Sequence, residues 1–279
     1  MSLFLFIVFF QIVIESFPVS SSGHVLLIEK IFTKFGYKTN LQLPDFFDHF
    51  LHGPTILIIG LIFYKNWTAP IFNLIHGVFN KNFRKKDSYK NFLNIFLKLF
   101  LYLFITSAIT SCFWILDKFI NLKNNNFILL LGFCLTALLL ISLFFKKNIF
   151  IKKSSYFKKY IFLGLIQGFA LIVPGVSRFA STYVLAYWLG FTPRRAFQTS
   201  FLIEIPLIVP AFFLGFFKMT KFSGWQNLFD LKTCLTFIVA TIISFFALLF
   251  MQKLAINKKL GFIAFYMLIP ILILIFIMF

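Results

Sequence analysis

Acidic side chains are the scarcest chemistry in this chain: eight Asp and Glu stand against 27 Lys and Arg among 279 residues. Charge of both signs amounts to only 13% of the residues, about half of what a soluble domain carries. A water-soluble globule of this size could not hide the 60% apolar remainder in one core. Disorder is excluded too, because disordered chains are poor in aromatics and this one has 46 Phe. Cysteine is nearly missing: Cys112, Cys134 and Cys234 lie in or beside apolar runs and form no CxxC pair. Each is expected to be buried as a small hydrophobe.

What remains is a mean hydropathy of +0.93, the composition of an all-α polytopic membrane protein. The formal charge of +19 would point to nucleic acid in a soluble protein. In a membrane protein, basic loops set topology and meet anionic headgroups. Membrane lipid, and no nucleic acid, is therefore the expected contact. Residues 1–14 are apolar, but no Lys or Arg precedes Lys30, so the segment lacks a basic n-region and is expected to be retained.

Crossing the hydrocarbon layer takes about 20 apolar residues. Runs 46–64, 92–116, 126–145, 199–217, 233–252 and 260–279 qualify. Two further regions are broken: 1–31 at Pro18 to Gly23, and 161–191 at Pro174 to Arg178. The pieces beside each break are too short to span, which points to re-entrant helix hairpins. Residues 65–98 carry seven basic residues and one acid, and 146–159 carry six Lys, so both should be cytoplasmic. The alternation closes if 161–191 enters and leaves from the cytoplasmic side and 1–31 from the outside. At an offset of 156 residues, Gln11, Pro18, Ser21 and Pro54 match Gln167, Pro174, Ser177 and Pro210. The expected fold is thus six transmembrane helices plus two re-entrant hairpins in one integral-membrane domain, 1–279. Its inverted-topology half-repeats fall at approximately 1–116 and 126–279, with a site between the broken helices.

Ionisable groups in apolar surroundings are costly and imply a purpose. Gln11 and Glu15 share one helix face, and Ser20, Ser21, Ser22, Gly23 and His24 follow Pro18. A helix starting there would offer free N–H groups and hydroxyls to a phosphate. Ser177 and Arg178 follow Pro174-Gly175 in the same way, with Thr182 one turn on. Only four basic residues are Arg, and Arg178 alone of them is flanked by apolar sequence; its fork suits phosphate oxygens. Asp48, His49 and His52 bring metal-ligand types together, but no Cys or His group elsewhere completes a zinc shell. Glu204, mid-span, belongs either to the site or to bundle packing.

Gln11-x-x-x-Glu15-x-x-Pro18-Val19-Ser20-Ser21-Ser22-Gly23-His24 resembles the first signature of the integral-membrane undecaprenyl-pyrophosphate phosphatases, the bacitracin-resistance family. Pro174-Gly175-Val176-Ser177-Arg178, with Gln167 before it and Thr182 after, resembles the second. Phe179 departs from it, standing where the family has a second Ser. Phe47-Asp48 with Leu51-His52, and Ser200-Phe201-Leu202 with Pro206, resemble further stretches of the family.

The resemblance implies hydrolysis of a polyprenyl diphosphate lipid, undecaprenyl diphosphate, on the outer (periplasmic) side of the bacterial cytoplasmic membrane. That reaction recycles the cell-wall carrier and confers bacitracin tolerance. Glu15, Ser21, His24 and Arg178 would be catalytic. Ser20, Ser22, Gly23, Gly175, Ser177, Thr182 and Gln167 would bind substrate, and Glu15 with Gln11 would hold Mg²⁺ or Ca²⁺. Either Ser21 attacks phosphorus with His24 as base, or His24 activates water or itself attacks. A homodimer is left open. The competing class is a transporter or lipid flippase, which also builds sites from broken helices but needs no nucleophile or proton shuttle.

The topology is testable on a Cys-free background. Cysteines at positions 158 and 195 should both label from the cytoplasm, and one at 121 from the other side. Labelling of 158 and 195 from opposite sides would make 161–191 a full span.

Overall fold

The computed structural model describes residues 3–36, 45–120, 122, 125–145, 155–221 and 230–278. Asn121 and residues 146–154 of the expected basic run 146–159 lie outside the described residues. Among those described, the elements are helical throughout. They are α1 (Leu3–Ile14), α2 (Ser21–Lys34), α3 (Asp45–Phe50), α4 (His52–Phe79), α5 (Lys81–Arg84), α6 (Asp87–Ile120) and α7 (Asn126–Ser142). After these come α8 (Tyr156–Ile172), α9 (Arg178–Trp188), α10 (Pro193–Lys221), α11 (Leu231–Ile256), α12 (Ile263–Tyr266) and α13 (Leu268–Met278). Among the described residues, six stretches are long and apolar enough to cross a membrane: Phe46–Phe79, Asp87–Ile120, Asn126–Phe145, Pro193–Lys221, Leu231–Ile256 and Leu260–Met278. Each contains or overlaps one of the expected runs.

Backbone geometry explains where the helices run past those expectations. An α-helix satisfies its own N–H and C=O groups, so it continues from hydrocarbon into water until something stops it. The basic stretch 65–98 is therefore mostly helix. α4 proceeds through Pro70 to Phe79, where Asn80 ends it and caps α5 by accepting from the N–H groups of Asn82 and Phe83. α11 starts equally firmly. Asp230 accepts from the Thr233 N–H at 2.8 Å and hydroxyl at 2.6 Å, bonds that hold its carboxyl below the usual range.

The two breaks fall where expected, but their register differs from the 156-residue match. α1 ends at Ile14 and α2 begins at Ser21, six residues of break; between Ile172 and Arg178 there are five. The N-cap of α9 is Ser177, whereas that of α2 is Ser20, each accepting at 3.1 Å from the N–H three residues on. Ser177 therefore corresponds to Ser20, and Ser21 to Arg178. The cysteines depart from expectation as well: Cys112 and Cys234 are exposed and Cys134 half-buried. They stand on helix faces shared with exposed Ile115, Leu116, Ile238 and Leu131, a surface for lipid on which an apolar residue need not be covered.

Packing joins the two halves at several places: α6 lies along α8, α11 along α1, α2 meets α13, α4 meets α11 and α10 meets α6, while α9 meets α7 within the second half. These contacts drive the two breaks together at the centre. A Cβ at Gly23 would lie 2.8 Å from the Gly175 Cα, and Gly175, at φ +88°, presses against the Leu129 carbonyl of α7. Thr136 of α7 secures this backbone, donating to the Gly175 carbonyl at 2.9 Å and accepting from the Ser177 N–H at 3.0 Å.

A methyl at Gly132 would sit 2.0 Å from the Pro174 carbonyl oxygen, whereas Gly60 faces open space. Gly132→Ala should cost about 1–3 kcal/mol by overpacking, and Gly60→Ala should cost nothing. Thermal unfolding in detergent reads the difference; equal effects would show that the tip is not clamped against α7.

Candidate active site

Beside the Gly23–Gly175 contact lies a cavity of about 200 Å³. The first turns of two helices open into it: Ser20, Ser21 and Ser22 from α2, and Ser177, Arg178 and Phe179 from α9. The first N–H groups of a helix have no partner within it, and the helix dipole adds partial positive charge there. Two such termini facing one space make an anion site. Arg178 adds a full positive charge, and its Nη2 lies 3.6 Å from Glu204 Oε1 of α10. Glu204, left open by the sequence, thus lines the cavity.

The opposite wall is acidic. Glu15, in the first break, accepts a hydrogen bond from the Thr55 hydroxyl and lies 3.0 Å from His52 Nδ1. Gln11 of α1 donates its amide to Asp48 of α3, and Asp48, His49, His52 and Thr55 all line the cavity. Asp48, His52 and Thr55 are spaced by four and three residues, one helical face. That spacing was the sequence signal for them, and without a second wall it did not say what they face. Among the described residues, no group of three or more His, Cys, Asp or Glu converges to hold a metal ion by itself.

Several expected site residues stand elsewhere. His24 does not line the cavity: it is buried behind the serine turn, with Nδ1 2.6 Å from the Ser20 carbonyl and Nε2 3.2 Å from the Tyr266 hydroxyl. Ser21 and His24 stand three residues apart in α2, the spacing of a shared face, but the His24 ring folds back on the cap at Ser20. Gln167 bridges helices instead, accepting from Thr110 at 3.2 Å and donating to the Ile203 carbonyl at 3.2 Å. Thr182 bonds back to the Arg178 carbonyl at 2.8 Å. Gly23 and Gly175 act through close approach rather than by lining the space. Gln11 reaches the cavity only through Asp48. Phe179, the departure from the second signature, packs its ring 4.7 Å from Phe201 and 5.4 Å from Phe197, so an aromatic contact occupies that position.

A helical membrane protein with two broken helix pairs meeting at a charged cavity is the class these features define. The family described as bacitracin resistance protein BacA matches residues 5–272, and the chain belongs to that family. Similar proteins named undecaprenyl-diphosphatase occur in Borrelia garinii subsp. bavariensis, 33% identical, and in Borreliella burgdorferi (strain ZS7), 32% identical. Each alignment covers 92% of this chain and 90% of the relative. One from Treponema denticola is 28% identical over 92% of this chain and 89% of its own length.

The Glu15–Thr55 contact can be measured. Thr55→Val should cost about 1.5–3 kcal/mol, the range for a hydrogen bond to a charged group. In a double-mutant cycle with Glu15→Gln, unfolding in detergent should show coupling of about 1 kcal/mol or more; additive effects would mean the two side chains act independently.

Proposed function

We propose that this protein hydrolyses undecaprenyl diphosphate to undecaprenyl phosphate and inorganic phosphate, returning the lipid carrier of cell-wall synthesis to use. The observation that carries this is the convergence of two helix N-termini and Arg178 on one cavity that also holds Ser21 and an acidic wall. Phosphoryl transfer needs little beyond positioning and stabilisation of charge on the phosphoryl oxygens, and preorganised donors are usually its largest catalytic term. Ser21 attacks the terminal phosphorus, the anhydride P–O bond breaks, and undecaprenyl phosphate departs. The serine proton passes to whichever of the cavity carboxylates, Glu15 or Asp48, does not hold the cation. Water then cleaves the phosphoserine, releasing inorganic phosphate and restoring Ser21. His24, with both ring nitrogens engaged behind the turn, takes no part as base.

A divalent cation, Mg²⁺ or Ca²⁺, belongs to the same proposal. Mg²⁺ is usually bound by one or two carboxylates together with substrate phosphates rather than by a protein cage. Glu15 would hold it, and Asp48 rather than Gln11 is the second carboxylate available; when bound, it supplies positive charge against the diphosphate. The helix packing between the halves supports an inverted topology with re-entrant breaks. The outer side of the bacterial cytoplasmic membrane is supported by Trp114 and Asp117, which line the cavity from the end of α6 far from the basic residues 81–98.

Purified protein should release one phosphate per undecaprenyl diphosphate, with EDTA suppressing the release. Glu15→Ala, Ser21→Ala and Arg178→Ala should each lower turnover about 100-fold or more, roughly 2.7 kcal/mol. Asp87→Ala, at an exposed ion pair with Lys90, should leave it unchanged. No release above an empty-membrane control overturns the proposal.

A further inference from the structure

The Ser20 carbonyl oxygen accepts twice: from the His24 backbone N–H at 3.0 Å, as the first bond of α2, and from the His24 ring at 2.6 Å. A carbonyl can only accept, so Nδ1 carries the ring proton. The neutral imidazole then has an acceptor at Nε2, and the Tyr266 hydroxyl, 3.2 Å away, donates to it. The ring sits in an aromatic box. Tyr266 stacks on it at 5.8 Å with planes 14° apart, Phe133 meets it edge-on at 5.2 Å, and Phe10 closes a third side at 6.2 Å. Tyr266 ends α12, 242 residues from His24. The same C-terminal region holds the other end of α2: Lys34 Nζ donates to the carbonyls of Phe276 at 2.6 Å and Ile277 at 3.1 Å.

We propose that Tyr266 is a positioning residue of the phosphatase site, acting through His24 on the serine turn. Its hydroxyl fixes the Nδ1–H tautomer of His24. That tautomer grips the Ser20 carbonyl, which sets the N-cap of α2 and the direction in which Ser21 and Ser22 face the cavity. With Phe at 266 nothing donates to Nε2, and the Nε2–H tautomer becomes available. Its Nδ1 lone pair would then oppose the Ser20 carbonyl oxygen, and the turn would lose its second hydrogen bond. The inference rests on the phosphatase reading for its effect on turnover, and on geometry alone for the tautomer.

The test uses the full-length protein in detergent with ¹⁵N-labelled histidine, the His24 signals being assigned by their loss in His24→Asn. Imidazole ¹⁵N shifts should report Nδ1–H at His24 in the unaltered protein and an Nε2–H population in Tyr266→Phe. Turnover of undecaprenyl diphosphate by Tyr266→Phe should fall about tenfold in kcat, with KM little changed. Asn places an amide N–H where Nδ1 stands and has no Nε2. His24→Asn should therefore retain turnover within about tenfold of the unaltered protein, while His24→Ala loses about 100-fold. In the His24→Asn background, Tyr266→Phe should cost nothing more.

Nε2–H at His24 in the unaltered protein overturns the proposal. So does an undiminished Tyr266→Phe effect in the His24→Asn background, or a His24→Asn protein as inactive as His24→Ala. Absence of phosphate release by the unaltered protein would instead overturn the phosphatase reading, with the tautomer spectrum still deciding the Tyr266–His24–Ser20 chain.

Discussion

Everything chemical in this protein depends on the first turn of α2 touching the non-helical stretch before α9 inside an apolar bundle. At the Gly23–Gly175 contact neither residue has room for a Cβ, so the α2 and α9 N-termini approach as closely as bare backbone permits. Non-helical peptide groups persist at membrane depth only where protein or a wet cavity satisfies them. Thr136 does this on one side, with its hydroxyl shared between Gly175 and Ser177, and Ser20 and Ser177 do it by capping. The N–H groups left over face the cavity, and the constraint that allows the breaks also directs them at an anion.

The charges around that cavity are arranged in facing sets. Arg178 with Glu204 stands by the α9 terminus, and Glu15 with His52 and Thr55 on the opposite wall, beside Asp48 and Gln11. Isolated charges in a low-dielectric interior would be expensive; partnered, they persist and remain available to a diphosphate. Breaking one set leaves its partner buried and uncompensated, which costs more than the pair contributes when intact. Loss of a single side chain here therefore touches both stability and chemistry, and kinetic variants need a folding measurement beside them.

The broken pairs read clearly in the sequence because Pro18 and Pro174 interrupt runs otherwise long enough to continue as helix. Ser20, Ser21, Ser22, Ser177, Arg178 and Glu15 stood out because polar groups beside such breaks have few neighbours to blend into, and all six line the cavity. His24 read as a cavity residue by its spacing from Ser21, but its ring meets the Ser20 carbonyl and Tyr266, the latter far away in the chain. Gln167 and Thr182 likewise follow their motifs in sequence and turn to helix contacts in space. His52 and Thr55 could not be promoted from sequence, because what they do depends on Glu15, some 40 positions earlier.

By itself the sequence determined the class of the protein: composition demands a bilayer, run lengths set six spans, and the placement of proline and serine sets the two breaks. These are local properties, governed by hydrophobic length and by which residues a helix can tolerate. Only the tertiary structure decided the register of the two breaks, the burial of His24 behind the turn, the exposure of Cys112 and Cys234, and the pairing of Glu204 with Arg178. Each of these is a relation between residues distant in the chain or a question of which side of a helix meets lipid. The physical reason is the same in every case. An apolar face in a membrane bundle is equally content against lipid or protein, so hydrophobicity alone cannot say which helix a side chain will meet, and close backbone packing must settle it.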